Sequence, residues 1–351
     1  MDITDVPLPS PCFIGESFGN EAQFDIVCVP VAFDDDAEIS DEAIKKSVDI
    51  ARSSAADVFV AGQIAPVRCE DDEGNVDFFD TFSAYFKQAR ALYEAGVDLL
   101  FADAMRSVAD ARAAVLACKR FDIPVFVTVS VECADITESK SRALAALICL
   151  QEIGASACGI AAECEIGDFC EIISELAHYA KVPLIARIQG VDSDSALELI
   201  HSGAQIISGF DAKRSARLCC EKCGISEHFD DGICEGMLVL SNETQSFFLS
   251  PDNIEMSEYI QCSQDMSDIL VELGDTSTDI IGVELFSPDD AVLFMKNVHM
   301  ASLPVIFKSQ SITALTTALI LYPGRACIDS CCEVEGDVLS SLAQKYGAIV
   351  Y

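Results

Sequence analysis

The sequence predicts an α/β fold, a (β/α)8 TIM-like barrel followed by a smaller, incomplete βα domain. Three observations lead there. Apolar runs of strand length alternate with amphipathic stretches of helical period, the signature of repeated βα units around a parallel sheet. Eight such runs occur before residue 210, the number a closed barrel needs. After Gly209 the rhythm breaks and resumes as a shorter series. A doubly wound open sheet fits the same alternation, because strand count alone does not show closure.

The strands read in order are Cys12–Gly15, Phe24–Phe33, Asp57–Ile64, Asp98–Asp103, Pro124–Ser130, Ala157–Ala162, Pro183–Gln189 and Ala204–Gly209. The first is crowded by Pro9, Pro11 and Gly15, which disfavour ladder positions. Between the strands lie helical patterns at Asp41–Ser53, Phe79–Glu94, Val108–Arg120, Ser139–Ile153, Phe169–Tyr179 and Asp194–Ser202. Phe210 to Asp231 reads as helical and then loop-like. The second series comprises Met237–Ser241, Asp279–Phe286, Pro304–Lys308, Ala326–Asp329 and Ala348–Tyr351. The expected division is therefore 1–231 for the barrel and 232–351 for the partial domain. A half-barrel leaves open sheet edges, so it is expected to dock on the first domain or to pair in a homodimer.

Bulk chemistry narrows the function. With 351 residues, 51% hydrophobic and 23% charged, the chain can bury a large core and is not a disordered one. Its 58 acidic against 22 basic residues give a net charge of −36, a field that repels nucleic acid and anionic membranes. No apolar run reaches the ~18 residues of a membrane span. The acidic start Met1-Asp2-Ile3-Thr4-Asp5 lacks a signal core, which predicts a cytoplasmic protein. In that compartment the 17 cysteines read as reduced core residues or metal ligands. No Gly-x-Gly-x-x-Gly, Walker or Gly-x-Ser-x-Gly motif is present, and the four histidines offer few acid–base candidates.

Several segments carry a family resemblance: Val60-Ala61-Gly62-Gln63-Ile64-Ala65-Pro66, Ala95-Gly96-Val97-Asp98-Leu99-Leu100, Gly154–Ile160, Val182–Arg187 and Gly203–Gly209. Together they resemble the homocysteine S-methyltransferase module of cobalamin-dependent methionine synthases. Further on, Leu303–Ser309, Leu321–Ser330 and Lys345–Val350 resemble part of the pterin-binding barrel that follows it there. The resemblance implies zinc on three cysteine thiolates, which lowers the pKa of a bound homocysteine thiol. It implies no cobalamin-binding domain in this stretch, and pterin binding is not expected, since that site needs the other half of its barrel. In the second region Lys308-Ser309 and Asp329-Ser330 stand where the family has Asp-Ser and Asn-Ser.

The family's site residues are largely replaced. Ala162 stands at the cysteine position after the sixth strand, and Phe210-Asp211 stands at the adjacent cysteine pair after the eighth. A relocated thiolate set is the candidate metal site: Cys164, Cys219, Cys220 and Cys223, with His228 a weaker addition; a chance cluster in a cysteine-rich chain is the other reading. Asp103 stands where the family's Glu-Thr pair helps hold the amino acid, so it is a candidate for a substrate ammonium or, alternatively, a helix N-cap. Thr128 and Ser130 either line the mouth or fill a barrel layer, and Arg187 either serves the mouth or pairs with an acid. No catalytic residue is assigned. Two functions follow. One is a divergent homocysteine S-methyltransferase acting on homocysteine or a related thiol. The other is an inactive barrel that binds a small thiol or amino acid, or partners a methionine synthase.

Overall fold

The structure, a computed structural model, describes residues 11–15, 24–34, 38–54, 58–67, 77–210 and 232–351. The chain divides into two compact units, Met1–Ala143 with Ala155–Asp231 and Leu144–Gly154 with Gly232–Tyr351.

In the first unit β1 (Cys12–Gly15), β2 (Ile26–Pro30), β3 (Phe59–Ile64), β4 (Leu99–Met105), β5 (Val125–Ser130), β6 (Ala157–Ala162), β7 (Leu184–Val191) and β8 (Ile206–Phe210) form a closed parallel barrel. Closure is made by β1 pairing with β8, Cys12 opposite Ile206 and Ile14 opposite Ser208. That pairing excludes the open sheet. The second strand is shorter than the sequence suggests, ending at Pro30, whose nitrogen cannot donate to a ladder.

Because strand side chains alternate in direction, every second residue meets inside the barrel. Cys12, Ile14, Ile26, Cys28, Ala61, Leu99, Phe101, Phe126, Ala157, Ile185 and Ile206 make one buried cluster. Small Ala61 and Ala157 leave room for Phe101 and Phe126, which meet edge to face at 6.5 Å. Glycine is required in the wall at Gly159, where a Cβ would stand 1.8 Å from the Ile185 carbonyl oxygen.

Outside lie α1 (Asp41–Ser54), α2 (Phe78–Ala95), α3 (Val108–Cys118), α4 (Ile136–Ile153), α5 (Ile166–Ala177) and α6 (Ser193–His201). Their caps set where the strands begin and end. Asp77 accepts from the Phe79 and Asp80 N–H groups to start α2, which stops at left-handed Gly96 just before β4. Ser107 accepts from the Asp110 N–H to start α3 after β4. Ladder irregularities fall at the C-terminal ends of two strands, between Ala102 and Met105 of β4 and between Arg187 and Val191 of β7. Bulges of this kind re-aim side chains at a barrel rim.

The second unit has a two-stranded antiparallel sheet of β9 (Leu238–Ser241) and β10 (Ser246–Leu249). It also has a five-stranded parallel sheet of β11 (Ile260–Gln261), β12 (Ile281–Leu285), β13 (Val305–Ser309), β14 (Cys327–Ile328) and β15 (Ile349–Val350) in sequential order. Helices α7 (Ser267–Gly274), α8 (Pro288–Asn297), α9 (Ile312–Leu321) and α10 (Gly336–Tyr346) connect the parallel strands. The sequence reading put Met237–Ser241 in a βα series. The structure corrects this to a hairpin, because residues 242–245 are too few for a crossover. Asn242 closes the turn, its side-chain oxygen accepting from the Thr244 and Gln245 N–H groups. Leu238, Leu240, Ile280, Ile306 and Cys327 form this unit's buried cluster. Among the described residues no helix is long and apolar enough to cross a membrane.

Candidate functional site

Barrel enzymes build their sites at the C-terminal ends of the strands, where loops are free to vary on a rigid wall. Here that end holds a cavity of about 520 Å³. Its wall includes Ala104 from β4, Ser130 and Cys133 from β5 and its following loop, Ala162 and Cys164 from β6 and its loop, and Arg187 from β7. Glu132 and Glu163 also line it, so the wall carries both signs of charge.

Behind the cavity lies a buried polar network centred on Asp103, which is 4% exposed. Thr128 Oγ1 donates to one carboxylate oxygen at 2.9 Å. Gln63 Nε2 and Arg187 Nε donate to the other at 2.9 and 2.7 Å. The Arg187 side chain is 12% exposed, so the ion pair is largely out of water. Removal of a charge from water costs several kcal/mol unless it is paired and hydrogen-bonded, and both conditions are met. Thr128 also accepts from the Ala104 N–H at 2.8 Å. That bond holds Ala104 at φ 53°, the left-handed region that side chains other than glycine rarely adopt. Bulge, strained backbone and buried ion pair coincide at one strand end.

These contacts sort the residues read from the sequence. Asp103, Thr128 and Arg187 are brought together, with Arg187 pairing with Asp103. Asp103 is not a helix cap, since Ser107 caps α3. Three protein donors already serve the Asp103 carboxylate, which leaves it a support for Arg187 rather than an open ammonium site. Thr128 is fully buried and supplies a hydroxyl to the network, while Ser130 lines the cavity at the exposed end of β5. Sequence reasoning did not single out Gln63 or Cys133. The signal for Gln63 was an amide at the end of the apolar run Phe59–Ile64.

Of the candidate metal ligands, Cys219, Cys220 and Cys223, with His228, lie outside the described residues. Cys164 is described, half-buried, with its sulfur 2.7 Å from that of Cys133. Burial, the Cys133 thiol and the nearby Asp168 and Glu165 carboxylates push its pKa up to about 12, so it is a protonated thiol at neutral pH. Two thiolates sharing a tetrahedral zinc at ~2.3 Å each would stand roughly 3.8 Å apart, so this pair does not have the spacing of co-ligands. Ala162, buried at the end of β6, offers no ligand atom. Among the described residues no group of three or more His, Cys, Asp or Glu side chains is placed to hold a metal ion.

In the second unit the Tyr259 hydroxyl donates to Asp329, Cys331 N–H donates to the same carboxylate at 2.7 Å, and the Lys308 ammonium lies 4.8 Å over the Tyr259 ring. The polar groups Lys308 and Asp329 are thus engaged by their neighbours.

Residues 23–206 match the homocysteine S-methyltransferase family. The chain belongs to that family. The match ends at the start of β8, before residues 232–351. No curated protein sequence gives a significant match. Among solved structures, the homocysteine methyltransferase MmuM from Escherichia coli in its apo form is similar at 18% identity, covering 57% of this chain and 80% of that one, with a TM-score of 0.45. The carboxyl transferase domain Y628A of Rhizobium etli pyruvate carboxylase with pyruvate is similar at 12% identity and a TM-score of 0.38. That likeness covers 48% of this chain and 30% of that one.

Proposed function

We propose that this family member binds a small zwitterionic ligand, an amino acid or amino-acid thiol, at its barrel mouth, and does not transfer methyl groups through a strand-end zinc thiolate. The observation that carries the reading is the composition of the cavity wall. Arg187, held in place by buried Asp103, lines the same cavity as Glu132 and Glu163, while Ala162 occupies the strand end. A guanidinium suits a carboxylate, and the two glutamates suit an ammonium. A cavity of about 520 Å³ is ample for an amino acid.

A divergent zinc enzyme is the second reading, and Cys164 on the cavity wall is the observation in its favour. Metal analysis and calorimetry on the reduced protein separate the two. The binding reading expects little zinc and measurable heat of binding for L-homocysteine or L-methionine, weakened at least tenfold by Arg187→Lys, which keeps the charge but loses the planar fork. About one zinc per chain, lost on Cys164→Ser together with methylation of homocysteine, would overturn it in favour of the enzyme.

A further inference from the structure

The pairing of β5 with β6 has a consequence at the cavity rim. Ser130 lies opposite Ala161, and the Val131 N–H donates to the Ala161 carbonyl at 2.9 Å. Cys133 follows Ser130 by three residues and Cys164 follows Ala161 by the same three. The two cysteines therefore sit in the turn after β5 and the bend after β6, each three residues beyond a paired position of the neighbouring strands. Their sulfurs are 2.7 Å apart, closer than the ~3.5 Å at which even carbon atoms rest in contact. Both residues are partly exposed and both line the cavity, so a small reagent in the cavity reaches them. Most other described cysteines, such as Cys12, Cys28, Cys118 and Cys158, are buried in the core.

We propose that Cys133 and Cys164 form a reversible redox site, closing to a disulfide across the cavity rim when a low-molecular-weight disulfide is present. The chemistry is thiol–disulfide exchange. One cysteine sulfur, its proton lost to solvent, attacks the reagent RSSR, forming a mixed disulfide and releasing RS−, which takes up a proton as RSH. The second cysteine sulfur then attacks the mixed disulfide, forming the Cys133–Cys164 bond and releasing a second RSH. Two thiols are oxidised and one disulfide is reduced, with no other electron acceptor. The new bond ties the loop after β5 to the loop after β6, both on the cavity wall, so oxidation changes the entrance to the cavity. The proposal holds for the chain whether or not an amino acid is the ligand.

The test incubates the full-length reduced protein with oxidised glutathione, blocks remaining thiols by alkylation, and maps the digest by mass spectrometry. The expected result is a peptide linking Cys133 to Cys164, lighter by two hydrogens than its parts, lost on treatment with dithiothreitol and absent from Cys133→Ser. Recovery of Cys133 and Cys164 as alkylated free thiols, under conditions in which exposed Cys331 has reacted, would overturn the proposal. So would a link from Cys164 to Cys219, Cys220 or Cys223. Because the wild-type digest carries the result, poor folding of the variant does not affect it, and because it reads no ligand binding, its failure is distinct from failure of the amino-acid reading.

Discussion

Asp103→Ala is the substitution that tests the architecture of the mouth most directly. The carboxylate is 4% exposed and takes bonds from Arg187 at 2.7 Å, Gln63 at 2.9 Å and Thr128 at 2.9 Å. Breaking a buried ion pair by removing one partner costs about 3–5 kcal/mol, because the other charge stays in a poorly solvated site. The loss of the acceptor for the fully buried Thr128 hydroxyl adds about 1 kcal/mol. The sum, about 4–6 kcal/mol, is a large part of the ~5–15 kcal/mol that holds a typical domain together. For a unit of this size each kcal/mol moves the midpoint by about 2–4 °C, so a fall of roughly 8–24 °C is expected. Far-UV circular dichroism during heating and urea titration is the suitable assay, since the chain has no tryptophan to report by fluorescence. The double variant Asp103→Ala/Arg187→Met should cost at least about 2 kcal/mol less than the sum of the two single variants, because it leaves neither charge behind. A single-variant cost within ~0.5 kcal/mol, the range of surface changes, or strict additivity of the pair, would refute the network as drawn.

Other substitutions and conditions probe separate links. Thr128→Val keeps the shape but removes the hydroxyl shared by Asp103 and the Ala104 N–H, and should cost about 2 kcal/mol in a urea melt, with Thr128→Ser closer to wild type. Ala104→Gly relieves a left-handed backbone worth ~1–2 kcal/mol while adding up to ~1 kcal/mol of unfolded-chain entropy, so the melting point should hold or rise by a few degrees; a clear fall would contradict the strain. Gly159→Ala puts a Cβ 1.8 Å from the Ile185 carbonyl oxygen and should cost more than ~4 kcal/mol, seen as loss of soluble folded protein. Alkaline stability should fall for a definite reason: burial pushes the Cys327 thiol up to about 12 from its usual 9.0. Between pH 9.0 and about 12 the unfolded thiol has lost its proton while the folded one keeps it, so stability is full below the lower value and declines above it, by about 1.4 kcal/mol per pH unit. Urea midpoints at rising pH for wild type and Cys327→Ala would show a steeper decline in the wild type.

Much of the barrel was legible in the sequence because its cause is local. The strand-length apolar runs put Ala157–Ala162 and the neighbouring strands in place within a few residues. The replacements at Ala162 and Phe210-Asp211 were equally visible, since they are matters of residue type. The hairpin of β9 and β10 was missed because half-buried Ser246–Leu249 is only four residues long, and its turn depends on how the Asn242 side chain folds back.

Pairings across sequence distance were decided elsewhere. Closure of β1 on β8, the Asp103–Arg187 ion pair 84 residues apart, and the Cys133–Cys164 contact 31 residues apart all depend on strands far apart in sequence being brought into register. The sequence by itself determined which chemical groups this barrel could bring to its mouth, because periodicity and residue type act over a few residues. Only the tertiary structure decided that Asp103 is engaged by Arg187 and that two thiols face each other across the rim. Those partners come from different strands, and nothing but the closed barrel brings them within bonding distance.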